Sequence, residues 1–376
     1  MSYVVNPTFR PILQFAVRVK SQEIRRMQID AATMPQLASL LIKVAAAKEP
    51  SAFEEQMGFL TQTGILVPPD AVPSEVTARF PLSADLLDLI PSKYRAVPEN
   101  LIVNRDNVFL QTTKDRPEAP WPGIPPATTF PTEFPLIWVF DPGTRMWTAY
   151  HTDAETVARI QSADISKFDA DTLELLWQAR ILTTESDLAG RQAHWDTTLT
   201  ELHDGYAVVR DILPPLALAA ARQYTRAMEA EGYMLVDHDQ VVDKRFIRHN
   251  DDLFRFIHRQ TGYLMRRITS ELIIPSYSYL AAYREEAELE RHKDRPQCRW
   301  NASLLVDMND EAAAASSWPI YLETVNGTKE VRLDFGDAVI YKGTDVPHWR
   351  PKANGRERQT LVLLHYVPFD FTGSLD

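Results

Sequence analysis

The sequence predicts an α+β protein with a C-terminal jelly roll (a double-stranded β-helix of the cupin-like kind) backed by helices and preceded by two small α/β modules. Three observations predict this fold. Residues 275–371 contain short apolar and aromatic runs separated by turns, which is typical of an all-β sandwich or barrel. Residues 214–231 and 253–268 have apolar side chains at helical spacing. The N-terminal half contains one pattern of hairpin and helices twice.

The predicted strands of the C-terminal part follow one another at short intervals. Residues 276–283 are rich in tyrosine and lack glycine and proline, which indicates a strand. Residues 300–306 and 318–322 have the same character, and residues 331–341 form two strands around a Phe-Gly-Asp turn. A last strand is predicted over residues 358–367.

The N-terminal repeat covers residues 11–66 and 135–182. Each copy predicts a hairpin, a helix and a second helix that ends in Ile-Leu. The copies resemble small winged-helix-like modules, including the peptide-recognition elements of peptide-modifying enzymes. Docking of a peptide or carrier-bound substrate, support of the barrel and a homodimer contact are all compatible with this pattern.

The proline-rich stretch between the copies, residues 67–132, predicts an extended connector on the surface. The predicted organisation therefore has four parts: module A, the connector, module B and the jelly-roll domain, over residues 1–70, 71–132, 133–191 and 192–376. A chain of 376 residues is consistent with two or three domains.

The composition restricts the location and the partners. A net charge of −11 disfavours nucleic acid and anionic membranes as partners. The single cysteine, Cys298, cannot form an internal disulfide, which fits a reducing cytoplasm, and it lies between predicted strands as a packing residue. No signal peptide or membrane span is evident. We therefore expect a soluble cytoplasmic protein.

The candidate functional residues are His292, Asp294 and His348. His292 and Asp294 are two residues apart, so on an extended segment they point to the same face. With a second histidine from a later strand they would form the 2-His-1-carboxylate triad that binds Fe(II). His-x-Asp alone is also compatible with a solvated loop in a charged run. The positions at predicted strand ends favour the metal site.

Further motifs carry a family resemblance. Tyr283 stands nine residues before His292, a Phe-Gly-Asp turn ends at Asp337, and Arg358 follows His348 by ten residues. With these motifs the C-terminal part resembles the 2-oxoglutarate/Fe(II)-dependent dioxygenases, in particular the prolyl-hydroxylase-like branch. The resemblance departs at two points: no glycine follows Tyr283 closely, and Leu289 occupies a position that is often aromatic.

The resemblance implies the ligands and their residues. Fe(II) would be held by His292, Asp294 and His348, with 2-oxoglutarate as co-substrate and O2 as oxidant. Arg358 would form a salt bridge with the far carboxylate of 2-oxoglutarate, for which a planar guanidinium is well suited, and Arg356 is a fallback. Tyr279 and Tyr283 share a strand face, and a hydroxyl inside the barrel could bind a co-substrate carboxylate; Tyr283 is the preferred candidate. A carboxylate at the Asp294 position favours hydroxylation over the halogenation of related enzymes.

The other candidate side chains receive structural interpretations. His365 is seven residues past Arg358, so it points to the opposite strand face, whereas Tyr366 shares the Arg358 face; a fourth metal ligand at His365 is not expected. His258 is interpreted as a packed or surface residue of a helix. Trp349 and Arg350 could line the mouth of the site or serve the structure alone.

The predicted function is hydroxylation of an unactivated C–H bond in an amino acid, peptide or natural product, with release of succinate and CO2. Desaturation or cyclisation by the same oxidant would leave the same sequence pattern. The alternative from another class is a jelly-roll binding protein without catalysis. Substrate-selecting residues lie in loops that the sequence does not place.

Overall fold

The computed structural model describes most of the chain, namely residues 4–5, 14–19, 23–28, 34–46, 50–68, 79–111, 135–237, 245–309, 315–354 and 357–375. These residues form two compact units. The first lies within Met1–Val76 and Pro368–Ser374, and the second within Thr77–Arg116 and Pro131–Val367. None of the helices in the described ranges is long and apolar enough to cross a membrane.

The first unit contains a hairpin, two helices and two very short strands. Its elements are β1 (Val4–Val5), β2 (Gln14–Val19), β3 (Glu23–Gln28), α1 (Pro35–Ala46), α2 (Met57–Gln62) and β4 (Leu66–Val67). Strands β2 and β3 pair in antiparallel orientation, and so do β1 and β4. A 3-10 helix over Pro50–Gln56 joins the two helices. Leu41, Leu60 and Ile65 are buried in a small core of this unit.

The second unit begins with a four-stranded sheet and its helices. The elements are β5 (Arg79–Pro81), β6 (Ile102–Val103), β7 (Val108–Gln111), β8 (Leu136–Asp141), β9 (Met146–His151), α3 (Ala154–Ser162), α4 (Ala170–Gln178), β10 (Leu182–Thr183) and α5 (Glu185–Glu201). The sheet has the order β5-β9-β8-β7, and β10 pairs with β6. Asp153 and Asp169 cap α3 and α4 by accepting hydrogen bonds from backbone N–H groups.

The element order is the same in the two N-terminal regions that the sequence singles out as a repeat. Each has a hairpin, a helix, a 3-10 turn, a second helix and a two-residue strand. This order agrees with the repeat pattern, while the winged-helix-like character and the role of the modules stay predictions.

The region between the copies differs from the extended surface connector that its prolines indicate. Strands β5 and β7 belong to the four-stranded sheet, and Phe80, Leu86 and Ile90 are buried in the core of the second unit. Apolar side chains placed between the prolines explain this, since their burial outweighs the tendency of proline to keep the chain extended. Residues 69–78 and 112–134 lie outside the described residues, and the four domain boundaries stay predictions.

The C-terminal part contains two α-helices and eleven strands. They are β11 (Tyr206–Val209), α6 (Pro215–Ala230), β12 (Leu235–Asp237), β13 (Arg245–His249), α7 (Asp252–Thr269), β14 (Ile273–Tyr283), β15 (Leu289–His292), β16 (Trp300–Met308), β17 (Ile320–Thr324), β18 (Gly327–Val331), β19 (Ala338–Tyr341), β20 (His348–Arg350) and β21 (Gln359–Pro368). After α7 the chain forms eight consecutive strands, β14 to β21.

These eight strands form a jelly roll. The larger sheet has the order β11-β19-β16-β21-β14-β13-β12, and the smaller sheet has the order β15-β20-β17-β18. From β14 to β21 the chain passes repeatedly from one sheet to the other. Strand pairs such as β13 with β14, β16 with β21 and β15 with β20 are antiparallel. The predicted fold class is confirmed for the C-terminal part.

The two helices back the larger sheet, as the helical spacing predicts. Helix α7 contacts β14 and α6 contacts β16. On α7 the buried side chains include Phe254, Ile257 and Leu264, with successive separations of three and seven residues, and they form one apolar stripe. The buried Gln260 amide accepts a hydrogen bond from the Trp147 N–H at 2.7 Å and donates to the Trp147 carbonyl at 2.8 Å. This contact joins α7 to the four-stranded sheet.

Candidate metal centre

The three candidate metal ligands are brought together by the smaller sheet. Strand β15 ends at His292 and strand β20 begins at His348, and antiparallel pairing places these two residues opposite each other. Asp294 follows β15 by two residues, and its backbone N–H donates to the Gly343 carbonyl at 2.9 Å. One side chain from each strand and one from the following loop therefore reach the same point.

The donor atoms of these three residues form one compact cluster. One ligating atom from each of His292, Asp294 and His348 lies within 4.8 Å of the others. Asp294 Oδ1 is 3.5 Å from His292 Nε2 and 3.7 Å from His348 Nε2. Two imidazole nitrogens and one carboxylate oxygen on one side of an open volume are the donor set that suits non-haem Fe(II).

Both histidines are oriented by backbone carbonyl groups. His292 Nδ1 lies 2.7 Å from the Glu290 carbonyl oxygen, and His348 Nδ1 lies 3.0 Å from the Val346 carbonyl oxygen. Because a carbonyl oxygen can only accept, each Nδ1 carries the hydrogen when the ring is neutral, and each Nε2 keeps its lone pair. The tautomers required for metal binding are therefore set by the backbone.

Asp294 is held as a carboxylate. Its Oδ2 accepts a hydrogen bond from the Asn301 side-chain amide. Burial would raise the pKa of Asp294, but the hydrogen bond with His292 and the nearby His348 lower this pKa overall. Burial lowers the pKa of His348, whereas the pKa of His292 is raised because the bond to Asp294 outweighs its burial. An ionised carboxylate thus faces two imidazoles.

Gly343 is required by the close approach of the Asp294 loop. A Cβ atom at this position would overlap the Asp294 carboxylate and would lie 2.5 Å from the Cys298 carbonyl oxygen. Only a residue without a side chain leaves room for the carboxylate there.

The triad opens into a cavity of about 200 Å³ inside the jelly roll. Its walls include Tyr283 and Ser303 of the larger sheet and Leu289 of the smaller sheet. Four cationic side chains line it, namely Arg245, Lys293, Arg295 and Arg350, whereas Asp294 is its only carboxylate among the described residues. The cavity is therefore electropositive although the chain as a whole is acidic.

Tyr283 lies where the sequence predicts it. Its side chain lines the cavity and is buried, and its hydroxyl accepts a hydrogen bond from Arg245 Nη1 at 3.3 Å. The ring packs edge-on against Trp318, with the ring centroids 5.2 Å apart. Binding of a co-substrate by this hydroxyl stays a prediction.

Arg358 lies elsewhere than the family pattern implies. It is absent from the cavity wall, its side chain is 55% exposed, and its Nη2 lies 3.0 Å from Glu285 Oε1 in a surface ion pair. Strand β21 begins one residue later, and Leu361, Leu363 and His365 are its cavity-lining residues. Successive side chains of a strand point to opposite faces, so Arg358 points away from the face that lines the cavity and does not reach the triad. The fallback, Arg356, lies outside the described residues.

The alternation along β21 is as predicted, but the cavity lies on the other face. His365 and Arg358 do point to opposite faces, and it is His365 that lines the cavity. Its Nδ1 is buried without a hydrogen-bond partner among the described residues, and it lies outside the cluster of metal-ligating atoms. Tyr366 faces helix α7, where its hydroxyl lies 2.5 Å from Thr261 Oγ1.

The two residues after His348 point in different directions. Trp349 stacks on Tyr321, with ring centroids 5.5 Å apart, whereas Arg350 is 3% exposed and lines the cavity. The sequence left a cavity-lining role and a purely structural role open for both residues. Arg350 lines the cavity, which agrees with its even separation from His348 within a strand.

The remaining candidates have the structural roles that the sequence indicates. His258 is buried, and its Nε2 lies 2.7 Å from the His365 carbonyl oxygen. Cys298 is buried 2.9 Å from the Tyr277 hydroxyl, and burial raises the pKa of its thiol to about 12. A thiol with such a pKa is not a nucleophile at neutral pH.

Comparisons with known proteins find similarity in structure and none in sequence: no protein-family model and no curated protein matches the chain. A prolyl-4-hydroxylase from Pseudomonas putida matches with 19% identity and a TM-score of 0.39, covering 46% of this chain and 98% of its own. A prolyl hydroxylase from Trichoplax adhaerens, solved with a fragment of hypoxia-inducible factor, matches with 14% identity and a TM-score of 0.39, covering 49% and 94%.

A third solved structure is HygX from Streptomyces hygroscopicus with nickel, 2-oxoglutarate and hygromycin B. It matches with 8% identity and a TM-score of 0.37, covering 46% of this chain and 86% of that chain. The similarity to each of these three structures covers about half of this chain.

Proposed function

We propose that this chain is an Fe(II)- and 2-oxoglutarate-dependent oxygenase that hydroxylates an unactivated C–H bond in an amino acid, a peptide or a natural product. The observation that carries the proposal is the convergence of His292, Asp294 and His348 at one side of a buried cavity, with their donor atoms within 4.8 Å of one another. The preset histidine tautomers and the ionised carboxylate fit Fe(II) without rearrangement.

The protein would contribute binding, orientation and exclusion of water. His292, Asp294 and His348 would hold the metal, while the Glu290 and Val346 carbonyl groups fix the two imidazole rings. The bound metal, 2-oxoglutarate and O2 would together supply the oxidative chemistry, with succinate and CO2 as by-products. Buried walls such as Leu289 and Tyr283 would keep bulk water from the reacting atoms.

The direct test is anaerobic absorption spectroscopy of the Fe(II)-loaded protein with 2-oxoglutarate. We expect a weak visible charge-transfer band in the wild type, since a keto acid that chelates ferrous iron produces one. The band should be lost in His292→Ala. His151→Ala is the matched control, because His151 lies in β9 outside the cavity, and it should keep the band.

Turnover then separates an enzyme from a binding protein. On admission of O2 the wild type should convert 2-oxoglutarate to succinate, at least slowly without its substrate. No band in the wild type, or an equal band in His292→Ala, would contradict the metal assignment. A band without any succinate would favour the jelly-roll binding protein.

A further inference from the structure

The metal cavity contains a buried cation that has no anionic partner in the part of the chain that the structure describes. Arg350 is 3% exposed, and both of its hydrogen bonds are donated by Nη1, to the Trp318 carbonyl at 3.0 Å and to Gln359 Oε1 at 3.2 Å. Both acceptors are neutral. Among the described residues no carboxylate forms a salt bridge with Arg350, and its Nε and Nη2 have no acceptor.

Such an arrangement is costly unless an anion completes it. A buried charge without a counter-charge is strongly destabilising. Another buried guanidinium of this unit, that of Arg222, has an anionic partner and donates to Asp307 Oδ1 at 2.9 Å. The contrast indicates that Arg350 is placed to bind an anion that enters the cavity.

The position of Arg350 identifies which part of the cavity this anion would occupy. Arg350 and His348 are two residues apart on β20, on the same face, so their Cα atoms are separated by about 7 Å at the usual rise of a strand. Arg350 pairs with Leu289, which lines the same cavity. The guanidinium therefore lines the same cavity as the metal ligand, one alternation along the strand from it.

A five-carbon dicarboxylic acid fits this spacing. Its two carboxyl carbons are separated by four bonds of about 1.5 Å, so they lie about 5 Å apart when the molecule is extended. Its keto-acid end would lie at the triad, and its far carboxylate would then reach the Nε and Nη2 groups. A guanidinium binds a carboxylate through two parallel hydrogen bonds, which also fixes the orientation of the ligand.

We propose that Arg350, and not Arg358, binds the far carboxylate of 2-oxoglutarate. This assignment rests on the proposed function of the site. Gln359 and the Trp318 carbonyl hold the guanidinium from one side, and the Trp318 ring lies 5.0 Å from its central carbon. In this chain the co-substrate anchor thus comes from the smaller sheet, two residues past the metal ligand, and strand β21 contributes the neutral Gln359 that positions it.

The test compares two ligands in two variants of the full-length protein. 2-Oxoglutarate and 2-oxopentanoate share the keto-acid end, but 2-oxopentanoate lacks the far carboxylate. Arg350→Gln removes the charge, and Arg358→Gln is the matched control because it removes the arginine that the family pattern implies. Dissociation constants are measured anaerobically from the absorption of the Fe(II)-loaded protein and, independently, by calorimetry with Ni²⁺ in place of Fe(II).

The expected result is selective. Arg350→Gln should weaken binding of 2-oxoglutarate by roughly 100-fold, the usual loss for one partner of a buried charge pair, and should leave binding of 2-oxopentanoate within about 2-fold. Arg358→Gln should leave both dissociation constants within about 2-fold, as for a solvent-exposed charge. Arg350→Lys keeps the charge but loses the planar fork, so it should lie between Arg350→Gln and the wild type.

Three results would overturn the assignment. Arg350→Gln could bind 2-oxoglutarate as well as the wild type does, it could lose both keto acids equally, or Arg358→Gln or Arg245→Gln could show the selective loss instead. If Arg350→Gln does not fold, Arg350→Lys provides the test. In that variant the dissociation constants of 2-oxoglutarate and 2-oxopentanoate should differ less than they do in the wild type. A wild type that binds neither keto acid contradicts the proposed function itself, which is a different outcome.

Discussion

Two cavities of the second compact unit differ in how their charged side chains are partnered. The metal cavity has a volume of about 200 Å³ and contains Arg350, which meets only neutral acceptors. The other cavity is larger, about 380 Å³, and is lined by residues of α4 and α6 and of the turn around Phe335. Its charged side chains are paired with one another or with buried neighbours.

The ion pairs of the larger cavity are extensive. Arg180 and Arg191 both bind Asp141 and Asp211, while the remaining pairs are Arg210 with Asp337, Arg222 with Asp307 and Lys93 with Asp334. The larger volume of a cavity therefore does not identify the candidate functional site in this protein. Charges that the protein neutralises itself stabilise the fold, whereas an unmatched buried cation indicates a ligand.

The largest effect is expected on the free energy of unfolding when a buried ion pair at the larger cavity is broken. Arg222→Met removes a fully buried guanidinium, so Asp307 loses one partner and the Leu89 carbonyl loses its donor. The free energy of unfolding should fall by about 3 kcal/mol, measured by urea denaturation. Arg226→Met is the control: Arg226 also binds Asp307 but is 46% exposed, and its loss should cost about 1 kcal/mol or less. Equal losses would show that burial does not distinguish the two pairs.

A second effect is expected at the metal cavity in acid. Burial lowers the pKa of His365 to about 4, whereas an unfolded histidine titrates near 6.5. Between these values the unfolded chain binds more protons, so stability is complete above pH 6.5 and declines as the pH falls to about 4. His365 alone would account for about 3 kcal/mol.

The measurement is urea denaturation of the metal-free protein at pH 7, 5.5 and 4.5. The free energy of unfolding should decline less with falling pH in His365→Gln than in the wild type. Part of the decline should remain in the variant, because the pKa of buried His258 is also well below 6.5. Identical pH profiles for wild type and variant would contradict the assignment of this acid sensitivity to His365.

The third prediction concerns the close approach at Gly343. Gly343→Ala should displace the Asp294 carboxylate and lower the affinity for Fe(II) by about 10- to 100-fold, as removal of a supporting residue of a metal site does. Calorimetry with Fe(II) under anaerobic conditions measures it. Gly190→Ala in α5 is the control, since a methyl group there meets nothing within 4 Å, and it should bind metal as the wild type does. Unchanged affinity in Gly343→Ala would show that the loop can relax.

The smallest effect is expected for the surface ion pair of Arg358. Because Arg358 is 55% exposed and Glu285 is 46% exposed, Glu285→Gln should change the free energy of unfolding by about 1 kcal/mol or less and leave metal affinity unchanged. Thermal denaturation and the Fe(II) titration check this. A marked loss of either would mean that the pair supports the cavity after all.

The sequence predicted those features that depend on local periodicity. Short apolar runs between turns gave the jelly-roll strands, helical spacing gave α6 and α7, and the spacing of two between His292 and Asp294 placed both on one side. The Phe-Gly-Asp turn was also predicted, and the structure shows the contacts of its aspartate. Asp337 forms an ion pair with Arg210 and accepts a hydrogen bond from the Asp211 backbone N–H at 3.2 Å.

The sequence by itself determined that two histidines and an aspartate stand at strand ends, because strand boundaries and a period of two are properties of neighbouring residues. Only the tertiary structure decided which arginine faces them. Both faces of β21 are largely apolar and buried, one toward the cavity and one toward α7. The sequence of the strand therefore does not show which of its two faces lines the cavity. Packing between the sheet and the helix settled the orientation of β21 and with it the exclusion of Arg358 from the cavity. Arg350 lies on β20, where it shares the face of His348.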